Sequence, residues 1–288
     1  MYSYKIITDS CCDLTNQQYR ELDVAYVSLS ILYKGATHSN FSDENKLREF
    51  YNSLRSGETA TTSAANPENW ASVIEPVLAA GQDVLVLTFS SALSTTYQSA
   101  VIAAEDLREK YPQRKIHVVD TLCAAHGQGL LVWYARQKQK EGMSLEELTT
   151  WCEENKLHIC HWVTVDDLSH LKRGGRVSAT TAFVGTMLNI KPIICMDDEG
   201  KLTSVSKVRG RKAAMEYLVN KLGESGKNYN NDTVFISHGD CPEDAQQLAD
   251  MVQQKYGPKN IVIGYVGGVI GSHTGPGVLV IYFMGDHR

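Results

Sequence analysis

The stretch Val84-Leu85-Val86-Leu87-Thr88-Phe89 is apolar at almost every position. Such a run is typical of a parallel strand that is buried on both faces of its sheet. Upstream, Asn66-Pro67-Glu68 predicts the start of a helix, with proline in the first turn. Downstream, the pattern predicts a helix over 94–111, a strand over 115–119 and a helix over 122–141. Strands and helices that alternate in this way predict a parallel, doubly wound sheet.

The second half of the chain has a different pattern, because a hairpin interrupts the alternation. Two predicted strands, 192–196 and 202–208, flank the turn Asp197-Asp198-Glu199-Gly200-Lys201, where Gly200 tolerates a positive φ. Together with a predicted strand over 157–165, this hairpin favours a mixed sheet. We therefore predict a two-domain α/β fold with a parallel N-terminal sheet and a mixed-sheet C-terminal domain. The predicted domains are residues 1–155 and 156–288.

Composition excludes several classes of protein. The net charge of −5 over 288 residues argues against a general nucleic-acid binder, which needs an excess of Lys and Arg. No apolar run approaches the roughly 20 residues that span a bilayer, and the first residues lack the pattern of a signal peptide. The seven cysteines are an odd, scattered set, which fits free thiols in a reducing cytoplasm better than a disulfide framework. We expect a cytoplasmic protein.

Hydroxyl side chains cluster next to apolar runs, where a ligand could be held. The clusters are Thr8-Asp9-Ser10, Thr61-Thr62-Ser63 and the loop of residues 90–96. The carboxyl ends of strands in open α/β sheets are where ligands collect, and helix starts there bind anions. The alternative is that these residues only cap helices. Three such loops favour a site, although their spacing does not show that they converge.

His273 lies in the glycine-rich segment Gly271-Ser272-His273-Thr274-Gly275-Pro276-Gly277, which we predict to be a constrained turn. Its imidazole could be held beside a ligand, act as a catalytic base, bind a metal or simply bond a backbone carbonyl. The chain has no G-x-S-x-G nucleophile elbow. His158, Cys160 and His161 do not share one face of a strand, so we predict no metal site.

A basic turn, Leu171-Lys172-Arg173-Gly174-Gly175-Arg176, separates the predicted strand over 157–165 from the hairpin. Its charges are either an ordinary solvated face or a contact for an acidic partner or a phosphate, which the planar guanidinium group suits. The residues alone leave both interpretations open.

Five motifs now stand in order along nearly the whole chain, and together they resemble the DegV family of bacterial fatty-acid-binding proteins. The motifs are Ile7-Thr8-Asp9-Ser10, Thr62-Ser63, Ser94-Thr95-Thr96-Tyr97-Gln98-Ser99-Ala100, Leu171-Lys172-Arg173-Gly174-Gly175-Arg176-Val177-Ser178 and Gly271-Ser272-His273-Thr274-Gly275-Pro276-Gly277. The resemblance implies one long-chain fatty acid, such as palmitate, stearate or oleate, held between two α/β domains. It implies no cofactor and no catalytic residue, and it allows transient contact with a membrane surface.

The resemblance also implies roles for individual residues. The carboxylate of the acid would be bound by Thr62, Ser94 and His273, with Ser63 and Ser91 as neighbours. A separate fatty acid kinase subunit would convert the acid to acyl phosphate for phospholipid synthesis. Arg173 and Arg176 would then form the surface for that partner. The alternative is an enzyme in which Ser94 or His273 acts on an acyl substrate, although the sequence shows no acid that would orient the base.

Departures from the family pattern fall near the expected head group. Cys11-Cys12 stand where Thr-Ala is usual, and Ala64-Ala65 stand where Gln-Pro is usual. Ala92 and Thr95 replace two glycines of the loop after the apolar strand. The hydroxyls remain, while the backbone has less freedom. For the tail of the acid, the segment 182–190 is a plausible wall, with Met187 able to adapt to a flexible chain.

Overall fold

The structure is a computed structural model that describes residues 2–166, 168–177 and 189–288. The predicted tail wall over 182–190 lies almost wholly outside the described residues. Up to Asn155 the described elements are, in chain order, β1 (Tyr4–Asp9), α1 (Asn16–Leu22), β2 (Ala25–Val27), β3 (Ser30–Tyr33), β4 (Ala36–Ser39), α2 (Glu44–Arg55), β5 (Ala60–Ser63), α3 (Pro67–Ala79), β6 (Asp83–Thr88), α4 (Thr96–Lys110), β7 (Ile116–Asp120), α5 (Ala125–Lys140) and α6 (Leu145–Asn155).

The first sheet has the strand order β2-β1-β6-β7, and each neighbouring pair is parallel. Strand β6 contains the apolar run from which the fold was predicted, and Val84, Leu85, Val86 and Leu87 are all fully buried. Helices therefore cover both faces, as a parallel sheet requires. The prediction of a parallel N-terminal sheet is confirmed. Helix α6 was not predicted from the sequence.

A second, three-stranded antiparallel sheet with the order β4-β3-β5 was not predicted. Residues 25–33 contain two short strands, β2 and β3, which belong to different sheets. The interpretation of Thr61-Thr62-Ser63 as a loop after a strand is wrong, because these residues form β5 itself. Thr62 pairs with Ile31 of β3, so the sheet fixes the position of its side chain.

The remaining elements are β8 (Ile159–Thr164), α7 (Ser169–Arg173), β9 (Ile190–Met196), β10 (Leu202–Arg209), α8 (Arg211–Ser225), β11 (Thr233–His238), α9 (Pro242–Tyr256), β12 (Asn260–Tyr265), α10 (Gly268–Thr274) and β13 (Leu279–Met284). They form a six-stranded sheet with the order β10-β9-β8-β13-β11-β12. Among the described strands of this sheet only β11 and β12 pair in parallel, so the predicted mixed sheet is confirmed. The predicted hairpin joins β9 to β10, with Gly200 at a φ of 76°.

Helix α5 joins the two large sheets. The Gln128 amide donates hydrogen bonds to Thr8 and Asp9 at the end of β1, at 3.0 Å and 3.2 Å. Two residues earlier, on the other side of the helix, Nδ1 of His126 lies 2.6 Å from the Ser237 hydroxyl of β11. Gly127 lets the helix approach β8, since a β-carbon there would overlap the His161 ring. The strands change sheet between β7 and β8, and the boundary at residue 155 stays a prediction.

None of the helices in the described residues is long and apolar enough to cross a membrane.

Candidate functional site

A cavity of about 500 Å³ lies between the first half of the chain and α10. This volume is in the range of sites that hold one small molecule. Its walls are mainly apolar, from Leu29, Ala64, Phe89, Ala92, Leu93, Ala124, Leu171, Leu202, Val269 and Ile270. Its polar lining comes from Thr62, Ser91, Ser94, Thr95, Arg176, His273 and Thr274. Four of the five predicted ligand residues, Thr62, Ser91, Ser94 and His273, therefore share one cavity.

Thr62 and His273 form a hydrogen-bonded pair in the wall of this cavity. The Thr62 hydroxyl lies 2.8 Å from Nε2 of His273, although the residues are 211 positions apart in the chain. Strand β5 positions the hydroxyl and helix α10 positions the imidazole. The prediction that residues 271–277 form a turn is wrong for its first half, because 271–274 complete α10 and only Gly275 to Gly277 turn. Gly275 and Gly277 have positive φ values of 75° and 78°.

Helix α10 contains glycines, and one of them, Gly271, allows a close contact with α2. A β-carbon at Gly271 would overlap the Tyr51 ring, whose hydroxyl donates a 2.8 Å hydrogen bond to the Val266 carbonyl. Tyr51 is fully buried, so the contact fixes the helix against α2. The low helix propensity of glycine is overcome here by tertiary packing.

Nε2 of His273 faces Thr62, and the Nδ1 side of the same ring packs against Gly174 of the basic turn. A β-carbon at Gly174 would overlap Nδ1 of His273, so only glycine allows this approach. Burial of the ring, and secondarily the positive charge of Arg176, lower the pKa of His273 to about 4. The imidazole is therefore neutral near pH 7, and it can donate one hydrogen bond and accept another.

Ser94 and Ser91 lie in the loop that follows β6. The Ser94 hydroxyl is 2.8 Å from the Thr96 hydroxyl and accepts a 3.3 Å hydrogen bond from the Thr96 N–H, which is the first N–H of α4. The Asp120 carboxylate accepts a hydrogen bond from the Ser91 N–H at 3.1 Å and anchors the loop. No hydrogen bond joins Ser94 to His273 in the described part of the chain. A serine–histidine dyad, which the enzyme alternative requires, is not formed there.

Ser63 lies apart from the other predicted ligand residues. It is exposed and does not line the cavity, since neighbouring residues of a strand point to opposite faces. The departures at Ala64, Ala92 and Thr95, in contrast, all line the cavity. They therefore shape the site itself.

Arg173 and Arg176, which the resemblance groups as one partner surface, lie in different environments. Arg173 is exposed at the end of α7. Arg176 is half-buried and lines the cavity, where its guanidinium donates hydrogen bonds to the carbonyls of Leu93, at 3.3 Å, and Gly174. Sequence reasoning missed Arg176 as a residue of the cavity. The Gly174-Gly175 turn, which lets the chain fold back here, was the only signal of it.

The lowered pKa of His273 predicts a pH-dependent contribution to stability. Because the pKa of about 4 in the folded protein lies below the ordinary histidine pKa of 6.5, the unfolded chain binds the proton more readily. The contribution of His273 to the free energy of unfolding is therefore complete only well above pH 6.5, and it falls as the pH falls through 6.5 towards 4. We expect a loss of about 2 kcal/mol between pH 8 and pH 5. Urea titrations at both pH values measure the free energy of unfolding of the wild type and of His273→Gln. If this free energy changes with pH by the same amount in both proteins, the prediction is contradicted.

Comparisons with known proteins match nearly the whole chain to one family. The sequence model of the DegV family, described as an uncharacterised protein family, matches residues 3–286. A DegV domain-containing protein of Clostridium perfringens is 45% identical over 289 residues, which cover 100% of this chain and 99% of that protein. A DegV family protein of Thermus thermophilus, described by its fatty acid binding, is 30% identical with a TM-score of 0.87, over 99% of this chain and 100% of that one. A DegV lipid-binding protein of Thermotoga maritima is 28% identical with a TM-score of 0.85, over 99% of each chain.

Proposed function

The chain belongs to the DegV family, and from this we propose that it binds one long-chain fatty acid in the cavity between β5, the loop after β6 and α10. The observation that carries the proposal is the Thr62–His273 pair, which puts hydrogen-bonding groups in the wall of a mainly apolar space. Solved relatives described as fatty-acid-binding or lipid-binding support it.

The carboxylate of the acid would lie against Thr62, Ser94 and His273. The two hydroxyls and the neutral imidazole supply donors, and a carboxylate oxygen accepts more strongly than a neutral oxygen does. Arg176 adds a positive charge in the same wall. The tail would lie against side chains such as Leu29, Phe89 and Val269. Each buried methylene contributes about 0.8 kcal/mol, so the tail supplies most of the affinity.

A comparison of head groups tests the carboxylate site. Hexadecanoic acid and hexadecanol have matched tails, and only the acid offers a negative charge to Thr62, Ser94 and His273. We expect the acid to bind about 30-fold more tightly, which corresponds to one charge-assisted hydrogen bond. Calorimetry or displacement of a fluorescent lipid measures the ratio. Equal affinities would contradict the proposed head-group site.

We further propose that the protein is a carrier without catalysis of its own, which presents the carboxylate to a separate kinase in the cytoplasm. In that reaction a carboxylate oxygen forms a bond to the terminal phosphorus of ATP as the bond from that phosphorus to ADP breaks. No hydrogen bond joins Ser94 to His273 among the described residues, which supports a binding role rather than acyl transfer. All seven cysteines are free thiols, which fits a reducing compartment.

Arg173 is the candidate contact for the kinase, since it is exposed and does not line the cavity. We expect Arg173→Ala to lower the rate of acyl phosphate formation with the kinase about tenfold, because a charge at an interface guides association. Fatty acid affinity should stay within about twofold. Hydroxylamine trapping of the acyl phosphate measures the rate, and Lys212→Ala on α8 is a matched exposed control. A variant that keeps the full rate would rule Arg173 out as the contact.

A further inference from the structure

The N-terminal end of α10 is capped by a residue from a distant part of the chain. A helix start leaves backbone N–H groups without partners inside the helix, and the side chain of the preceding residue commonly accepts one of them. The preceding residue here is Gly267, which has no side chain to do so. Oδ1 of Asn40, 229 positions away in the chain from Val269, instead accepts a 2.9 Å hydrogen bond from the Val269 N–H. Asn40 therefore caps α10 from outside the helix.

The close packing at Gly267 explains why the cap comes from elsewhere. A β-carbon at Gly267 would overlap the Asp13 carboxylate and would approach Nδ2 of Asn40 to 3.0 Å. An ordinary capping residue such as serine could not occupy this position without displacing both side chains.

Asn40 is itself fixed by the loops of the first half of the chain. Its backbone N–H donates a hydrogen bond to the Leu29 carbonyl at 3.0 Å, and its Nδ2 donates one to the Ser10 carbonyl at 2.8 Å. The Ser10 hydroxyl accepts a 3.0 Å hydrogen bond from the Leu29 N–H, and Leu29 lines the cavity. The neighbouring Asp9 accepts a 2.7 Å hydrogen bond from the Phe89 N–H, at the start of the loop after β6. One series of polar contacts thus connects α10 to that loop.

The position of Val269 bears directly on His273. The two residues are four positions apart, so they lie one turn apart on the same face of the helix, and both line the cavity. Helix α10 has only seven residues and contains Gly268 and Gly271, so its intrinsic helix propensity is low. Its position therefore depends on contacts with the rest of the chain, and Asn40 supplies the polar contact at its first turn.

We propose that Asn40 is a positioning residue of the head-group site, which holds α10 where the His273 imidazole meets the carboxylate of the acid. This inference rests on the proposed function, because the carboxylate is the group that the imidazole would bind. Asn40 does not line the cavity, so it acts through α10 and without touching the ligand. A helix that is held in place presents its imidazole to the carboxylate without rearrangement on binding.

The comparison of an acid with an alcohol tests this role. We expect Asn40→Ala to weaken binding of hexadecanoic acid about fivefold, the scale of one helix cap. Binding of hexadecanol should stay within about twofold, since the alcohol lacks the charge that the site recognises. The preference for the acid, about 30-fold in the wild type, should therefore fall to about sixfold. In the His273→Ala background, Asn40→Ala should not weaken acid binding further, because no imidazole remains to be misplaced.

Ser144→Ala is the matched control, since it removes a cap from a different helix. The Ser144 hydroxyl accepts a 3.3 Å hydrogen bond from the Glu147 N–H at the start of α6, and Ser144 does not line the cavity. Both alanine variants should lower the urea midpoint of unfolding by a similar amount. Only Asn40→Ala should lower the preference for the acid, which separates positioning from general stability.

Asn40→Asp keeps the capping oxygen and supplies a second variant. Its carboxylate retains an acceptor for the Val269 N–H and loses only the donor to the Ser10 carbonyl. Burial raises the pKa of Asp13 well above its ordinary value, which lowers the repulsion between the two carboxyl groups. We expect Asn40→Asp to keep at least about half of the preference for the acid.

Several results would overturn the role of Asn40. They are an Asn40→Ala variant that keeps the full preference, one that weakens acid and alcohol equally, and one whose loss adds to that of His273→Ala. Should Asn40→Ala fail to fold, a folded Asn40→Asp that has lost the preference overturns the role as well. A wild type that binds acid and alcohol equally, or binds neither, overturns the proposed function instead, so the two failures are distinguishable.

Discussion

Shortening the bound acid from sixteen carbons to twelve is expected to weaken binding about 200-fold. The four methylenes removed contribute about 0.8 kcal/mol each when buried, which gives about 3.2 kcal/mol in all. The walls that would bury them are apolar, including Leu29, Phe89, Leu93 and Val269. The same decrease is expected for alcohols of the two lengths, because the tail acts independently of the head group.

A displacement titration over even-numbered acids from ten to eighteen carbons measures this dependence. We expect the logarithm of affinity to rise linearly until the tail fills the cavity and then to level off. An affinity that does not change between twelve and sixteen carbons would mean that the tail remains in water, and the assignment of the cavity to a lipid tail would be wrong.

Loss of the His273 imidazole is the second change with a large expected effect. We expect His273→Ala to weaken fatty acid binding about 30-fold, since it removes one hydrogen bond to a charged group and leaves the Thr62 hydroxyl without its partner. His287→Ala is the control, because His287 is exposed and lines no part of the cavity. Binding of the matched alcohol should change much less.

Gly174→Ala tests the same geometry without changing a polar group. Gly174 has a φ of −75°, so alanine fits the backbone, but its β-carbon would overlap Nδ1 of His273. We expect the ring to move and fatty acid affinity to fall about tenfold. In the His273→Ala background, Gly174→Ala should have no further effect, since no ring remains to be displaced. Additive losses in the double variant would contradict this contact.

The central strands of the two large sheets were predictable because buried strands consist almost entirely of apolar residues. Strand β6 is apolar throughout and fully buried from Val84 to Leu87. The hairpin turn that contains Gly200 was equally clear, because its positive φ favours glycine. In contrast, β4 and β5 consist of small and polar residues, so their periodicity is weak. Their pairing with β3 depends on contacts between distant parts of the chain.

The site was predictable only in part, and for a physical reason. Hydroxyls near strand ends indicated separate loops, but no spacing rule brings Thr62 to His273 across 211 residues. The family resemblance grouped both residues, with Ser94, as ligands of one carboxylate, but it did not predict the hydrogen bond between them. Helix α10 was taken for a turn because glycine has a low helix propensity, and its packing against Tyr51 cannot be read from the sequence. Arg176 was assigned to a surface, whereas it lines the cavity. The orientation of its guanidinium depends on hydrogen bonds to the Leu93 and Gly174 carbonyls, which cannot be predicted from the sequence.

Native mass spectrometry of the purified protein, before and after addition of hexadecanoic acid, tests the central claim most directly. It reports the mass and the number of bound molecules for each chain. We predict one fatty acid per chain, retained by the wild type and by His287→Ala and largely lost from His273→Ala. A wild-type protein that carries no fatty acid and takes up none when it is added would contradict the account.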